Sequence, residues 1–469
     1  MISEAADGGQ PPRSINDMQG VIMSSLEYEQ NQVDAYVDHL AEVNKANQVV
    51  ATSDLYNEQG VLLAKQGTSI SSKMAEKLIR HKLRKPLEQS VALEHSLSGE
   101  QLLADIDKQW SAAADLQCLS RHVTEASLRE ARDRVMRLPM LVQKLTVLRE
   151  RLPDQYDKAL YCAWFGLAIA TRLQRPDAKP VEVFIAGLAH DIGMLHIDPA
   201  IVNKNDELSP EEWRAIQSHV VIGKVCLESM SSVPRAVAVA VLEHHERCDG
   251  SGYPSARFAD ELSLMGQIVA ITDMLYAIRF SADPKRNSDL QLLLPVLQVN
   301  DYSFAAEVYE ATRFLIKTAG IRSPRLYSED ADLLQRLPKL LVLAQTLKRY
   351  EASVVHLNQH LPVDQMNRRQ LRSLAATGLA LENLLIRSGM TSEGLIRWVS
   401  HVHQAKLQPA YAEMEEVDLM FDELLWRFRD LRRLLHLVQK DAPESLRPLL
   451  AAIERSFNDA AKERQSVIA

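Results

Sequence analysis

Apolar residues along this chain recur mostly at spacings of three and four, the period of an amphipathic helix, and one short region alternates as strands do. That region starts at Gln48. VVATSDLYNEQGVLLAKQGTSI reads as two short strands joined at Asn57–Gly60, where Asn and Gly suit a tight turn. A helix follows in SSKMAEKLIRHKL, with Ser71 or Ser72 as N-cap, and a β-like run returns at Leu87–Leu93. From Ser98 to Asp330 helical periods succeed one another without a convincing strand. Ser209-Pro210-Glu211-Glu212 is a strong helix start, pairing a capping Ser and an early Pro with a Glu that closes the box. Helices resume over 331–469. There Met414, Val417, Phe421, Leu424, Leu425, Phe428, Leu431 and Leu435 form a stripe that predicts a buried face. Four segments are expected: a polar, partly disordered start over 1–45, with weak helical periodicity around Val33–Leu40; a small α+β module over 46–97; a helical domain over 98–330; and a helical C-terminal region over 331–469. The expected fold class is mainly α.

Composition sharpens this outline. At 469 residues the chain is long enough for several domains, and 46% hydrophobic with 25% charged is ordinary for a protein that buries full cores. Lys plus Arg number 54 against 62 Asp plus Glu, a net charge of −8, which argues against a nucleic-acid polymer as partner. No apolar run approaches the ~20 residues of a membrane span, and the N-terminus lacks the charged and apolar regions of a signal peptide, so a cytoplasmic protein without a span is expected. Cys118, Cys162, Cys226 and Cys248 form no CxxC pair, and isolated reduced thiols are expected at all four. The low counts of Gly, Pro and aromatic residues favour long helices.

Candidate chemistry is concentrated between residues 189 and 273. His190-Asp191 follows the apolar run VFIAGLA, His219 follows the capped helix, His244-His245 opens HHERCDGSGYP, and Asp273 closes Ile271-Thr272-Asp273. A lone His on a helix is more often a satisfied core or solvated group than a ligand. That reading is taken for His196, His356, His360, His401, His403 and His436. The combination of one His-Asp pair, a single His, a His-His pair and an Asp, each on its own helix, instead suits borderline divalent metals such as Fe, Mn, Zn or Ni.

With these motifs the sequence resembles an HD-GYP domain, the branch of the HD phosphohydrolase superfamily that hydrolyses cyclic di-GMP. His190-Asp191 and residues 244–254 carry the two naming motifs, and the likeness extends over roughly residues 130–320. Further likeness lies in IDPAIVNKNDELSPEEW, in the segment around His219 and in ITD. The block around Asp54–Ile70 also resembles a small module found before some HD-GYP domains. The resemblance implies an HD-like helical core with His190, Asp191, His219, His244, His245 and Asp273 as metal ligands. Two divalent ions, Fe or Mn, are expected, with Asp191 between them as the catalytic carboxylate. Cyclic di-GMP is the implied substrate, with Gly252, Tyr253, Arg279 and Lys285 as its contacts; Gly250 and Gly252 are expected to supply unusual backbone angles.

Three departures bear on activity. Aligning Ile169, Ala170 and Leu173 with the family pattern puts Lys158 where the family has a further His, and Asp154 where it has Glu. A protonated Lys repels a cation or fills the vacant position with its own charge. Met194 stands where the family has a lysine toward phosphate. The segment after Asp273 reads YAIRFSADPKR, leaving Arg279, Lys285 or Arg286 to compensate. A phosphodiesterase that opens cyclic di-GMP to pGpG or GMP is the leading reading; the alternative is a catalytically degenerate module that binds the nucleotide or a protein. The C-terminal helices are expected to form a bundle for self-association or docking.

Overall fold

In the computed structural model of the chain, the described residues are 35–204, 206, 208–280, 289–319, 325–361 and 369–468. Candidate Lys285, the neighbouring Arg286 and the first 34 residues of the polar segment lie outside them. The chain divides into two compact units, one of residues up to His95 together with Leu195–Asn203, the other of Ser96–Met194 and Lys204–Ala469.

The first unit holds strands β1 (Val49–Ala51), β2 (Leu55–Tyr56), β3 (Leu62–Ala64) and β4 (Val91–Leu93). β2 and β3 form an antiparallel hairpin, Leu55 opposite Ala64, across the expected turn. There Asn57 Oδ1 accepts from Val61 N at 2.8 Å, and Gly60 takes φ +79°, a left-handed value that costs glycine little. The strand before this hairpin is separate: β1 pairs with β4, Val49 opposite Leu93. The Leu87–Leu93 run thus divides into a 3₁₀ turn, Leu87–Gln89, and a strand. Helix α1 (Ser72–Ile79) is capped by Ser71, whose side chain accepts from Met74 N. His196 stacks on Tyr36 in this unit, ring centroids 5.0 Å apart, in keeping with a structural histidine.

The second unit is helical. Its helices α2 (Pro153–Leu173), α3 (Pro180–Ala189), α4 (Pro210–Gln217), α5 (His219–Glu228), α6 (Arg235–Glu243) and α7 (Leu264–Arg279) surround the candidate residues. α2 is buried on nearly every side from Ala159 to Ala170, as its unbroken run of apolar and small residues requires. Gly187 lets α3 press onto it: a Cβ there would lie 2.6 Å from the Ala163 backbone N. α4 carries the expected capping box, Glu212 N on Ser209 Oγ at 3.2 Å and Ser209 N on Glu212 Oε2 at 2.7 Å.

Beyond them α8 (Asp330–His360), α9 (Arg369–Ser388), α10 (Glu393–Ala405), α11 (Tyr411–Asp441) and α12 (Arg447–Ile468) share one apolar core. Met414, Phe421, Leu424, Phe428, Leu431 and Leu435 of α11 are all buried in it, and Leu425 is packed against it. The stripe read from the sequence is therefore consumed within the chain, at roughly 1.5–3 kcal/mol per fully buried large side chain. No helix among the described residues is long and apolar enough to cross a membrane.

Arg279 was expected to face substrate, and the structure gives it other work. Its two terminal nitrogens bond both oxygens of Asp115 at 2.5 and 3.0 Å, with both side chains buried, and Leu290 N adds a third bond at 2.8 Å. A guanidinium committed to a buried bidentate pair has no donor fork free for a phosphate. Burial pushes the Asp115 carboxyl up, but Arg279 outweighs it and the net pKa lies below the usual carboxylate value. The pair's contribution is therefore complete above the unfolded-state pKa of about 4 and lost as pH falls through the lower folded value. Asp115→Ala, which strands the buried Arg279 cation, is expected to destabilise the protein by about 3–5 kcal/mol. Urea unfolding at pH 7 and at pH 3 measures this, with the difference between wild type and variant shrinking at the lower pH.

Candidate metal centre

Four helices bring the six candidate ligands to one place. His190 follows α3, His219 opens α5, His244 and His245 follow α6, and Asp273 lies within α7. His190, Asp191, His219 and His244 have no exposed surface, and Asp273 has 6%. Gly193 permits the approach of α5, since a Cβ there would fall 2.1 Å from the His219 carbonyl.

Three imidazoles are oriented alike. His190 Nδ1 donates to Gly187 O at 2.8 Å, His219 Nδ1 to Ile216 O at 2.6 Å, and His244 Nδ1 to Val241 O at 2.7 Å. A carbonyl can only accept, so each ring keeps its proton on Nδ1 when neutral and turns Nε2 inward. Burial, with help from the neighbouring rings, holds His244 and His245 well below the ordinary histidine value, and burial also lowers His219. These three are thus neutral at pH 7, the state that ligates a metal.

His219 Nε2 and His244 Nε2 face one another at 3.2 Å. Two bare nitrogen lone pairs at that distance repel unless a cation or a shared proton lies against them. Donor atoms of His219, His244 and His245, and separately of His190, Asp191 and His244, all lie within 4.8 Å of one another. Asp191 Oδ1 is 3.2 Å from His219 Nε2 and 3.9 Å from His244 Nε2. Both Asp191 oxygens, Asp273 Oδ1 and His190 Nε2 are buried without a well-angled hydrogen bond. Nitrogen and carboxylate donors left in this state fit a divalent ion of the borderline class.

The other side of Asp191 holds a different cation. Lys158, from α2, places Nζ 2.5 Å from Asp191 Oδ2 and 3.0 Å from Asp273 Oδ1. Burial opposes its charge, but the two carboxylates outweigh that and raise its pKa above the usual lysine value, so it is an ammonium. Burial likewise opposes ionisation of Asp191 and Asp273. His190 and Lys158 for the first, Lys158 and His190 for the second, nonetheless hold both well below the normal carboxylate range. His190, 3.2 Å from Asp191 Oδ2 and 3.6 Å from Asp273 Oδ1, is lowered by burial and raised further by Asp191, to about 9. Cys162, read from the sequence only as a core thiol, also lies within 4.8 Å of the His190 and Asp273 donors. Burial pushes its pKa well up, so it stays a thiol.

The loop after His245 is braced from beneath. Glu246 accepts from Ser255 N at 2.5 Å and Arg257 N at 3.1 Å, and Glu243 accepts from Ser263 N at 2.9 Å and Arg257 at 2.7 Å. Sequence reasoning passed over both carboxylates, although the HHE triplet contains one. Gly250 has φ +75° as expected, but Gly252 is needed for a different reason. A Cβ on Gly252 would lie 2.4 Å from the Glu246 Cα and the His245 carbonyl. Tyr253 stacks on His245, centroids 4.6 Å apart and planes 22° apart, and Trp213 meets its edge at 6.3 Å. Met194 is buried and adds no charge.

The C-terminal helices reach this loop. Arg427 of α11 bonds Glu423 at 2.9 Å, Asn300, and Ser303 Oγ at 2.9 Å; Ser303 in turn donates to Asp249 at 3.1 Å and accepts from Cys248 N. No signal in the sequence joined residue 427 to residue 249.

The model of the HD domain family matches residues 141–292, which span the whole candidate centre. The chain is 33% identical over 137 residues to the cyclic di-GMP phosphodiesterase PA4108 of Pseudomonas aeruginosa, covering 29% of this chain and 33% of that protein. It is 33% identical over 132 residues to a 3′3′-cGAMP-specific phosphodiesterase of Vibrio cholerae, covering 28% of each. The chain thus spans about a third of the length of these curated relatives. A solved HD-GYP-type protein of Bdellovibrio bacteriovorus aligns with TM-score 0.29 at 13% identity, covering 58% of this chain and 94% of that one. HD domains are metal-dependent hydrolases, and the buried nitrogen and carboxylate donors suit that chemistry. Residues 141–292 thus match the HD domain family, with the His-Asp pair and the GYP loop inside the matched stretch.

Proposed function

We propose that this protein is a metal-dependent phosphodiesterase of the cytoplasm that opens cyclic di-GMP. The facing Nε2 atoms of His219 and His244 carry the proposal: neutral imidazoles so placed need a cation or a shared proton against them, and the Asp191 carboxylate 3.2 Å from His219 Nε2 favours a cation. His219, His244, His245 and Asp191 would hold one ion, with Fe or Mn in keeping with the donor set. When bound, such an ion supplies Lewis-acid charge and lowers the pKa of water toward neutrality. In place of the two ions implied by the family resemblance, we assign the second position, bounded by His190, Asp191 and Asp273, to Lys158. Its ammonium lies within 3.0 Å of both carboxylates, and a second dication there would meet like charge at close range in a poorly screened interior.

Each residue of the chain then has a defined task. Asp191, held ionised, anchors Lys158 through Oδ2 and would help to hold the ion. His190 and Lys158 hold the negative charge of Asp191 and Asp273 in place, so that neither carboxylate takes up a proton at neutral pH. Tyr253 shields His245 from water, with its backbone fixed by the close fit of Gly252. Tyr253 and Trp213 present aromatic surface of the kind on which a guanine base stacks. The alternative reading, a module that binds cyclic di-GMP without turnover, rests on the same Lys158. Self-association through the C-terminal helices belongs to the proposal as well, with exposed Leu379 and Ile386 on α9 as the apolar positions left for it.

Protein prepared under low oxygen is expected to hold one Fe or Mn per chain by elemental analysis, and to hydrolyse cyclic di-GMP faster than 3′3′-cGAMP. A chain that holds no metal and shows no turnover would defeat the enzyme reading, and cyclic di-GMP binding retained without product would support the silent module. His244→Ala is expected to lower metal content at least tenfold and abolish turnover. Lys158→His removes the competing cation and adds an imidazole, so a second ion per chain is expected, with turnover raised several-fold.

A further inference from the structure

The segment leading into α4, the last turns of α11 and Glu454 of α12 enclose a cleft of about 350 Å³ lined by Lys204, Arg429, Arg432, Arg433, His436 and Glu454. The four α11 residues follow at spacings of three, one and three, so they share one helix face. Like charges so placed repel one another, and among the described residues lining the cleft Glu454 is the single acid. The charges are incompletely answered. Lys204 pairs with Glu212 at 2.7 Å, His436 lies 3.3 Å from Glu454, and Arg432 donates to the neutral Asn458 at 2.7 Å. Arg429 is exposed with no partner among the described residues. Arg433 reaches Asp430 only at 3.7 Å, and its Nε is buried without a hydrogen-bond acceptor.

We infer that this cleft is a binding site for a phosphate-bearing ligand, separate from the metal centre. Three guanidinium groups offer the planar donor forks that match phosphate oxygens two at a time, and an anion there relieves the repulsion along α11. The ligand would report to the loop of the metal centre. Arg433 lies over the Trp213 ring, 4.7 Å from its centroid, and Trp213 meets Tyr253, which stacks on His245. Part of the chain outside the HD domain therefore acquires a ligand of its own, and the assignment does not depend on turnover at the metal centre.

Calorimetric titration of pyrophosphate and of GMP into the full chain, freed of metal by chelation, tests the inference. Saturable binding of both is expected, accompanied by a change in tryptophan emission that is lost in Trp213→Phe. Arg429→Ala with Arg432→Gln is expected to weaken binding at least tenfold, while restoring Mn to the chain leaves it unchanged. Arg429→Glu, at an exposed position without partners, serves if the double variant does not fold. Absence of saturable binding overturns the inference, as does binding that survives these substitutions or that changes tenfold or more when Mn is restored. The last outcome would place the anion at the metal centre.

Discussion

A carboxylate with no exposed surface is the constraint around which the HD part of this protein is arranged. Asp191 ionised in a dry interior would be untenable alone, because its solvation by water is lost and little in an apolar core replaces it. Positive charge must therefore converge on it. Lys158 comes from α2 and His190 from the end of α3, while α5, α6 and α7 supply the remaining donors. Gly187 and Gly193 set the helix spacings that make this convergence possible, since a methyl group at either would strike backbone atoms. Packing and electrostatics are here one requirement, and neither can relax without the other.

Lys158 changes what such a centre is. Between Asp191 and Asp273 this chain has a single covalently attached charge that cannot exchange with solution ions or act as a Lewis acid. It keeps Asp191 and Asp273 ionised. The loop after His245 is rigid for related reasons, held by the buried carboxylates of Glu243 and Glu246 and by the backbone contact at Gly252. Ser303 joins this loop to Arg427, so a rearrangement of α11 must disturb the loop or break a buried bond.

Much of this was legible in the residues themselves. The helical period, the capping box at Ser209, the hairpin at Asn57–Gly60 and the buried stripe of α11 are all local signals, set by side-chain preference and spacing over a few turns. The His and Asp positions were legible because the GYP loop has a demanding local conformation and therefore a restrictive sequence. The β1–β4 pairing was not, because it joins segments forty residues apart through backbone groups that every residue possesses. Arg279 misled for a similar reason: its charge is visible in the sequence, but Asp115, 164 positions away, is what decides its use.

The sequence by itself determined the helical class, the identity of the six candidate ligands and the presence of a lysine in unusual company, since these follow from residue type and short-range spacing. Tertiary structure alone decided that this lysine lies between Asp191 and Asp273, that Arg279 is committed to Asp115, and that α11 joins the GYP loop and lines a basic cleft. Those facts depend on distances between residues remote in the chain, and only the packing of whole helices fixes such distances.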